Sequence, residues 1–362
     1  VPTKKKRVGH RGRAAAIMNE INSELGKPAI KLGNDDYFSI IRIPSGSLTI
    51  DRITGGGFAL GRHIEIFGDE NACKSFIAYR TMALSQQRGN LCALIDPEHS
   101  FDEAWFTHLG GIPDELLLEQ PETAEEAITT MALLATKARQ GEPIEVIAID
   151  SVAALLPLEE FTKDPSEEPR IAGQARMMSR ALRRITAMNH RILFLWTNQT
   201  RTKIGTFFGN PTTTPGGRSL KFYDTTRIQV TKGEKIKKKR NKAVKGKLQE
   251  KPVAVGNFVI CRSEKEKSAI PYREGMFEFD GEAGRILLES EIINLGLEDG
   301  IITRKGNTYS FIDSDDYEWS GMDKEFKALI RENEAVQGEL VEAITDMTVQ
   351  LAVPQGGNGS GP

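Results

Sequence analysis

The segment Gly68-Asp-Glu-Asn-Ala-Cys-Lys-Ser75 has the residue types and spacing of a phosphate cradle. In such a loop, backbone N–H groups and the N-terminus of the following helix surround the phosphates. A lysine reaches the β- and γ-phosphates, and a Ser or Thr hydroxyl binds Mg²⁺. Lys74 and Ser75 fit the last two roles, while Gly68, Asp69, Glu70, Asn71, Ala72 and Cys73 form the loop. One position departs, because Cys73 stands where the pattern has glycine. An apolar run precedes the segment and a helical one follows, which is the context the motif requires. The implied ligand is a nucleoside triphosphate, ATP, carried with Mg²⁺.

Two carboxylates belong to the same chemistry. Asp150 closes the apolar run 144–149, a position from which it can hold a Mg²⁺-bound water with Ser75 nearby; capping the next helix is the alternative. Glu98 follows the run 91–95 and projects over the same sheet edge, within reach of a water to be activated. By residue type alone it is one acid among several. A basic stripe comes from Arg176, Arg180, Arg183 and Arg184 at helical spacing, which is either a phosphate-binding face or a solvated one. The stretch 200–217 is long, rich in Gly and Thr, and carries Arg201 and Lys203, with Arg218 just beyond, for phosphates. Gly216 and Gly217 there let backbone N–H groups come close to them.

These groups need a rigid frame. Apolar runs at 63–67, 91–95, 144–149 and 192–196 alternate with helical patterns at 74–87, 122–139 and 173–189. That rhythm predicts an α/β fold with a mostly parallel sheet covered by helices on both faces. A helix is predicted over 14–25 and a strand over 38–43. Beyond residue 226 alternation replaces the rhythm, giving strands at 227–230, 253–262 and 276–279. The lysine-rich stretch between the first two reads as an exposed hairpin tip. A smaller α/β module follows, with a helix at 287–295, a hairpin at 306–307 and helices to 351. The predicted organisation is an arm at 1–36, a core at 37–284, a module at 285–351 and a flexible tail at 352–362.

Composition limits the alternatives. The 362 residues are 39% hydrophobic and 27% charged with net charge −2, so attraction for a polyanion must come from local clusters. Cys73, Cys92 and Cys261 lack the number and spacing of a disulfide framework or zinc site. No stretch reaches the roughly 18 apolar residues needed to span a bilayer, and no signal-peptide pattern appears. A cytoplasmic, reducing setting and no membrane partner are expected. The opening Pro2-Thr-Lys-Lys-Lys-Arg7 reads as a flexible basic tail.

With these residues in place the chain resembles the RecA recombinase family. The matching stretches are Gly46-Ser-Leu-Thr-Ile-Asp51, Gly61-Arg-His-Ile-Glu-Ile-Phe-Gly68, Ile95-Asp-Pro-Glu-His-Ser-Phe-Asp102, Ile149-Asp-Ser-Val-Ala-Ala-Leu155, Ala175-Arg-Met-Met-Ser179, Lys203-Ile-Gly205, Phe208-Gly-Asn-Pro211 and Leu220-Lys-Phe-Tyr223. They occur in family order, and the resemblance extends over about 14–344. It implies a RecA-type core with an N-terminal polymerisation arm and a C-terminal domain that gathers duplex DNA. Glu98 matches the glutamate that activates water, and Trp105 the aromatic that stacks on adenine, with Asp102 grouped beside it. Gln199 matches the glutamine that senses the γ-phosphate. Lys265 and Lys267 match two lysines that reach the ATP of the neighbouring subunit. Ser179 and Arg183 match phosphate contacts, with Arg176 beside them. The stretches 159–170 and 200–217 match two DNA-binding loops, and Ile171 and Ile204 match wedges between base triplets. Thr212, where typical members have an acid, and Pro215 depart from the pattern.

The implied activity is ATP-dependent assembly of a helical homo-oligomeric filament on single-stranded DNA, pairing with duplex DNA, strand exchange, and DNA-stimulated ATP hydrolysis. Single-strand-binding and mediator proteins are the implied protein partners. The rivals are a mediator that binds ATP and DNA but hardly hydrolyses, and a hexameric helicase motor. Cys73 keeps the first open; the arm and the Lys265-Glu-Lys267 stretch argue against the second.

Overall fold

The computed structural model describes residues 11–164, 173–189, 191–202, 212–244 and 247–352. The chain divides into two units, Val1–Ile41 and Arg42–Pro362. In the first, helix α1 (Arg11–Glu24) ends before Gly26, and Asn22 exchanges two hydrogen bonds with the backbone of Ile30 (2.9 and 2.8 Å). That exchange folds the chain back after the helix. The predicted strand 38–43 shrinks to Arg42–Ile43, and Asp36–Phe38 is a single 3₁₀ turn. Only Phe58–Ala59 pairs with it. Phe38, Ile40 and Ile41 are 50%, 44% and 40% exposed, and among the described residues they join no ladder.

The second unit is built on a nine-stranded sheet. Its parallel half contains β1 (His63–Gly68), β2 (Leu91–Ile95), β3 (Leu116–Glu119), β4 (Ile144–Ile149) and β5 (Leu193–Gln199). The spatial order is β1-β5-β4-β2-β3, with every neighbour parallel. All but the edge strand β3 bury both faces. Cys92, Leu94, Val146, Ala148, Leu193 and Leu195 enter one core with helix α3 (Lys74–Gln86). The alternate residues Ala93, Ile95, Ile147, Ile149, Phe194 and Trp196 enter the other core with α5 (Ala124–Arg139) and α6 (Gly173–Met188). Two-sided burial is why these strands read as continuous apolar runs. Helix α2 (Leu48–Thr54) precedes this layer, and α4 (Glu103–His108) lies between β2 and β3.

Beyond α7 (Gly217–Tyr223) the sheet continues through β6 (Thr226–Val244), parallel to β1, and then turns antiparallel through β7 (Lys247–Glu266), β8 (Glu274–Asp280) and β9 (Arg285–Ile286). The lysine-rich stretch forms the largely exposed far end of the β6–β7 hairpin, with pairs running from Lys235↔Asn257 to Val244↔Lys247. A separate core joins α8 (Leu288–Asp299), the sheet β10 (Thr303–Lys305), β11 (Thr308–Ile312) and β12 (Glu318–Met322), α9 (Asp323–Glu332) and α10 (Glu334–Ala352). Two buried acids bind this module to α2. Glu291 accepts from Ser47 Oγ (2.6 Å) and Thr49 N (3.0 Å) at the helix start, where a carboxylate is favoured. Asp299 pairs with Arg52.

Candidate nucleotide site and nucleic-acid face

The phosphate loop leaves β1 and enters α3. A side chain at Gly68 would place its Cβ 1.9 Å from Val230 O, so the neighbouring strand demands glycine there. The loop then turns through two left-handed residues, Asn71 (φ 54°) and Cys73 (φ 64°). Cys73 sits at the N-cap without a side-chain capping bond. The first-turn N–H groups of α3 thus face the loop's concave side with no side chain capping them there, which suits an anion. Lys74 Nζ donates to Gly68 O (3.2 Å) and Asp69 O (2.6 Å), lying across the loop it would serve. Burial lowers its pKa, while Asp150, Asp69, Glu98 and Glu70 pull it back up.

Asp150 follows β4 and is 4% exposed. Its Oδ1 accepts from Thr197 Oγ1 at 2.6 Å, and Oδ2 is buried without a hydrogen bond. Burial pushes its pKa up, against the nearby hydroxyls of Thr197 and Ser75. An orphaned carboxylate oxygen beside the exposed Ser75 hydroxyl fits a Mg²⁺ ion held through water. Among the described residues no group of three or more His, Cys, Asp or Glu side chains makes a complete metal site. A metal here would therefore depend on nucleotide phosphates for its remaining ligands. Glu98 is exposed and accepts from Ser151 Oγ, one residue beyond Asp150.

Gln199 ends β5 opposite Gly68 in parallel register. Thr200 N donates to Gly68 O (3.2 Å), and Thr200 Oγ1 to Asp69 Oδ1 (2.8 Å). The start of the 200–217 loop is thereby bonded to the start of the phosphate loop. Asn198 extends the junction, donating to Glu65 Oε1 (2.8 Å) and to Pro215 O (3.1 Å) at the loop's other end. Asp102 caps α4 by accepting from Trp105 N (2.7 Å). Trp105 is half-buried rather than a core residue, stacked on His108 (5.3 Å) and packed against Gly284. With Asp102 and residues 281–284 it borders an open depression of about 590 Å³.

Lys265 and Lys267 meet at the C-terminal end of α7. Lys265 Nζ donates to Lys221 O and to Phe222 O (3.3 Å), and Lys267 Nζ to Phe222 O (3.3 Å). Neither contacts the phosphate loop of its own chain through any described bond.

Arg176, Arg180, Arg183 and Arg184 are exposed on α6, with Ser179 half-buried among them. Arg176, Arg180 and Arg184 line a groove of about 470 Å³ together with Glu125, Glu159 and Pro157. The base of the 200–217 loop is an antiparallel pair, Arg201↔Thr213 and Thr202↔Thr212. Gly216 and Gly217 both have positive φ, and a Cβ on Gly217 would come within 2.7 Å of Ala175 on α6. Gly216 N is engaged by Gln174 Oε1 (3.4 Å). Arg201 and Arg218 are exposed at opposite ends of the loop. Ile171, Lys203 and Ile204 lie outside the described residues, as do 165–170 and 203–211 of the two loops. Sequence reasoning missed Thr197, Ser151, Asn198 and Glu65, which hold the assigned groups. The polar run Thr197-Asn-Gln199 at the end of an otherwise apolar strand was the available signal.

A strand, a phosphate loop and a helix at the carboxyl edge of a parallel sheet, with a buried acid two strands away, define a P-loop nucleotide-binding protein of the α/β class. A family model for the RecA N-terminal domain matches residues 13–280. Protein RecA of Bacillus licheniformis is 38% identical over 298 residues, covering 81% of this chain and 80% of the relative. Protein RecA of Bacillus subtilis is 36% identical over 334 residues (91% and 90%), and that of Cereibacter sphaeroides 36% over 336 (91% of each). The chain belongs to the RecA family of DNA recombinases, ATP- and DNA-binding proteins that carry out strand exchange. No helix among the described residues is long and apolar enough to cross a membrane.

Proposed function

We propose that this RecA-type recombinase binds ATP at Gly68–Ser75, assembles as a helical filament on single-stranded DNA, and hydrolyses ATP once DNA is bound. The observation that carries this reading is the shared junction between the phosphate loop and the 200–217 loop, made by Gly68↔Gln199 and Asp69–Thr200. A γ-phosphate at Lys74 displaces that lysine from the Gly68 and Asp69 carbonyls and shifts the strand end on which the DNA loop is mounted. Lys74 then binds the phosphates. Glu98, steadied by Ser151, orients and deprotonates the attacking water. Gln199 reads the γ-phosphate. Mg²⁺, when bound through Ser75 and Asp150, neutralises phosphate charge. Lys265 and Lys267 complete the site of the adjacent protomer, where cations of this kind are worth roughly 10³ to 10⁵ in rate.

On the DNA face, Ser179, Arg176, Arg183, Arg201 and Arg218 contact phosphates of the bound strand, so binding is salt-dependent. The hairpin β6–β7 carries ten basic and two acidic residues over 232–251. Lys238 and Arg240 spend part of that charge on Asp280 (3.2 Å) and Glu282 (2.6 Å). The remainder serves duplex or displaced-strand phosphates. The exposed apolar residues Ile17, Leu25, Ile30 and Phe38 of the N-terminal unit dock on a second copy of the chain. Phosphate release with and without single-stranded DNA is the direct test. Stimulation by DNA supports a hydrolysing recombinase; release at background in both supports the non-hydrolysing mediator instead.

A further inference from the structure

Asp224, the residue that follows α7, is fully buried, and neither carboxylate oxygen makes a hydrogen bond. Its described ionic contact is Arg227 Nε, 3.8 Å from Oδ2. That guanidinium is already committed: Nε donates to Glu65 Oε2 at 2.5 Å, and its carbon lies 4.3 Å over the Phe67 ring. Two buried carboxylates thus share one arginine; burial and Glu65 push the Asp224 carboxyl well above the usual carboxylate range, while Arg227, Lys265 and Lys267 pull it back down.

The charges that answer it are Lys265 and Lys267. Lys265 is the cross-strand partner of Arg227, and Lys267 N donates to Thr225 O (3.0 Å), so the two lysines lie opposite the residues that follow Asp224. Their ammonium groups converge on the Lys221 and Phe222 carbonyls, the last turn before Asp224. Two like charges in one place repel, and Lys265 is pushed toward neutrality by burial and by Lys267 while Asp224 opposes this. Helix-end carbonyls supply only partial negative charge. The lysines favour the ionised form of Asp224, and Asp224 in turn favours charged lysines, which holds the three groups together.

We propose that Asp224 is a positioning residue, holding Lys265 and Lys267 as a pair against the end of the helix that follows the DNA loop, so that loop and trans-acting cations move as one body. This rests on the reading in which the two lysines act on the adjacent protomer's ATP. It gives that reading a route by which the DNA loop governs the lysines, through α7 and Asp224.

The test is a four-way comparison of DNA-stimulated ATP hydrolysis by the full chain: wild type, Asp224→Asn, Lys265→Gln with Lys267→Gln, and all three changes together. Asp224→Asn is expected to lower kcat roughly ten- to hundredfold, the cost of misplaced catalytic groups, with KM for ATP within about twofold of wild type. In the background lacking both lysines it should change nothing further. Its thermal melting should equal or exceed that of wild type, because a buried carboxyl without hydrogen bonds is removed. Wild-type turnover in Asp224→Asn, or the same loss with and without the lysines, overturns the proposal. Full turnover in the double lysine variant overturns the lysine reading itself, and Asp224's role with it.

Discussion

Gly68 and Gln199 end neighbouring parallel strands on the same rung of the sheet, and the next residue, Thr200, is bonded to both Gly68 and Asp69. One rung therefore carries the first residue of the Gly68–Ser75 loop and the last residue before the 200–217 loop. Gln199→Ala is expected to bind a fluorescent ATP analogue with wild-type affinity and to lose DNA stimulation of hydrolysis, by roughly tenfold or more. Steady-state rates across a DNA titration measure it. Stimulation equal to wild type would remove Gln199 from the coupling.

Lys74 rests on the Gly68 and Asp69 carbonyls, across the loop proposed to hold the phosphates. Lys74→Ala should weaken ATP binding by about 2 kcal/mol, roughly thirtyfold in Kd, as expected for a hydrogen bond to a charged group. Isothermal titration calorimetry reads this directly. An unchanged Kd would mean that the phosphates sit elsewhere.

Cys73 occupies a left-handed conformation that costs an L side chain about 1–2 kcal/mol, whereas glycine adopts it freely. Cys73→Gly should raise stability by about 1 kcal/mol and leave hydrolysis nearly unchanged. Burial pushes the thiol up to about 12, against Lys232 and Lys74. The lysine beside it does not make it a reactive thiolate, and alkylation at pH 8 should be slow in the folded protein. Labelling as fast as a free thiol, or a large gain in activity on substitution, would contradict this account of the loop.

His63 gives the fold an acid limit. Its Nδ1 accepts from Trp196 Nε1 (3.2 Å), and Nε2 pairs with Thr186 Oγ1 (2.9 Å), which together require the neutral ring. Burial lowers its pKa from 6.5 to about 4. The unfolded chain therefore takes up a proton at higher pH than the folded one. The stability present above pH 6.5 is lost as pH falls toward 4, by about 3 kcal/mol from this group. Denaturant midpoints at pH 7 and pH 4 should show the loss in wild type and a smaller one in His63→Gln. Equal pH dependence in the two would exclude His63 as the cause.

The parallel half of the fold was legible because its strands bury both faces and so appear as unbroken apolar runs. Leu116–Glu119 escaped notice: it is an edge strand of four residues with Leu117 and Leu118 exposed, and its apolar character does not mark a core. The run 38–43 misled in the opposite direction, since among the described residues Phe38, Ile40 and Ile41 join no ladder. The strand, loop and helix around Gly68–Ser75 and the place of Asp150 at a strand end were readable from local spacing. The groups around them were not, because Asn198 with Glu65 and Thr200 with Asp69 are brought together by strand register, over separations of 133 and 131 residues that no local pattern reports.

The central claim is that ATP bound between Gly68 and Ser75 drives assembly on DNA. Electron microscopy of the full chain with single-stranded DNA and a non-hydrolysable ATP analogue tests it most directly, with Lys74→Ala as the control. The account predicts continuous helical filaments for wild type and none for the variant. Closed rings without filaments, or filaments formed equally well by Lys74→Ala, would contradict it.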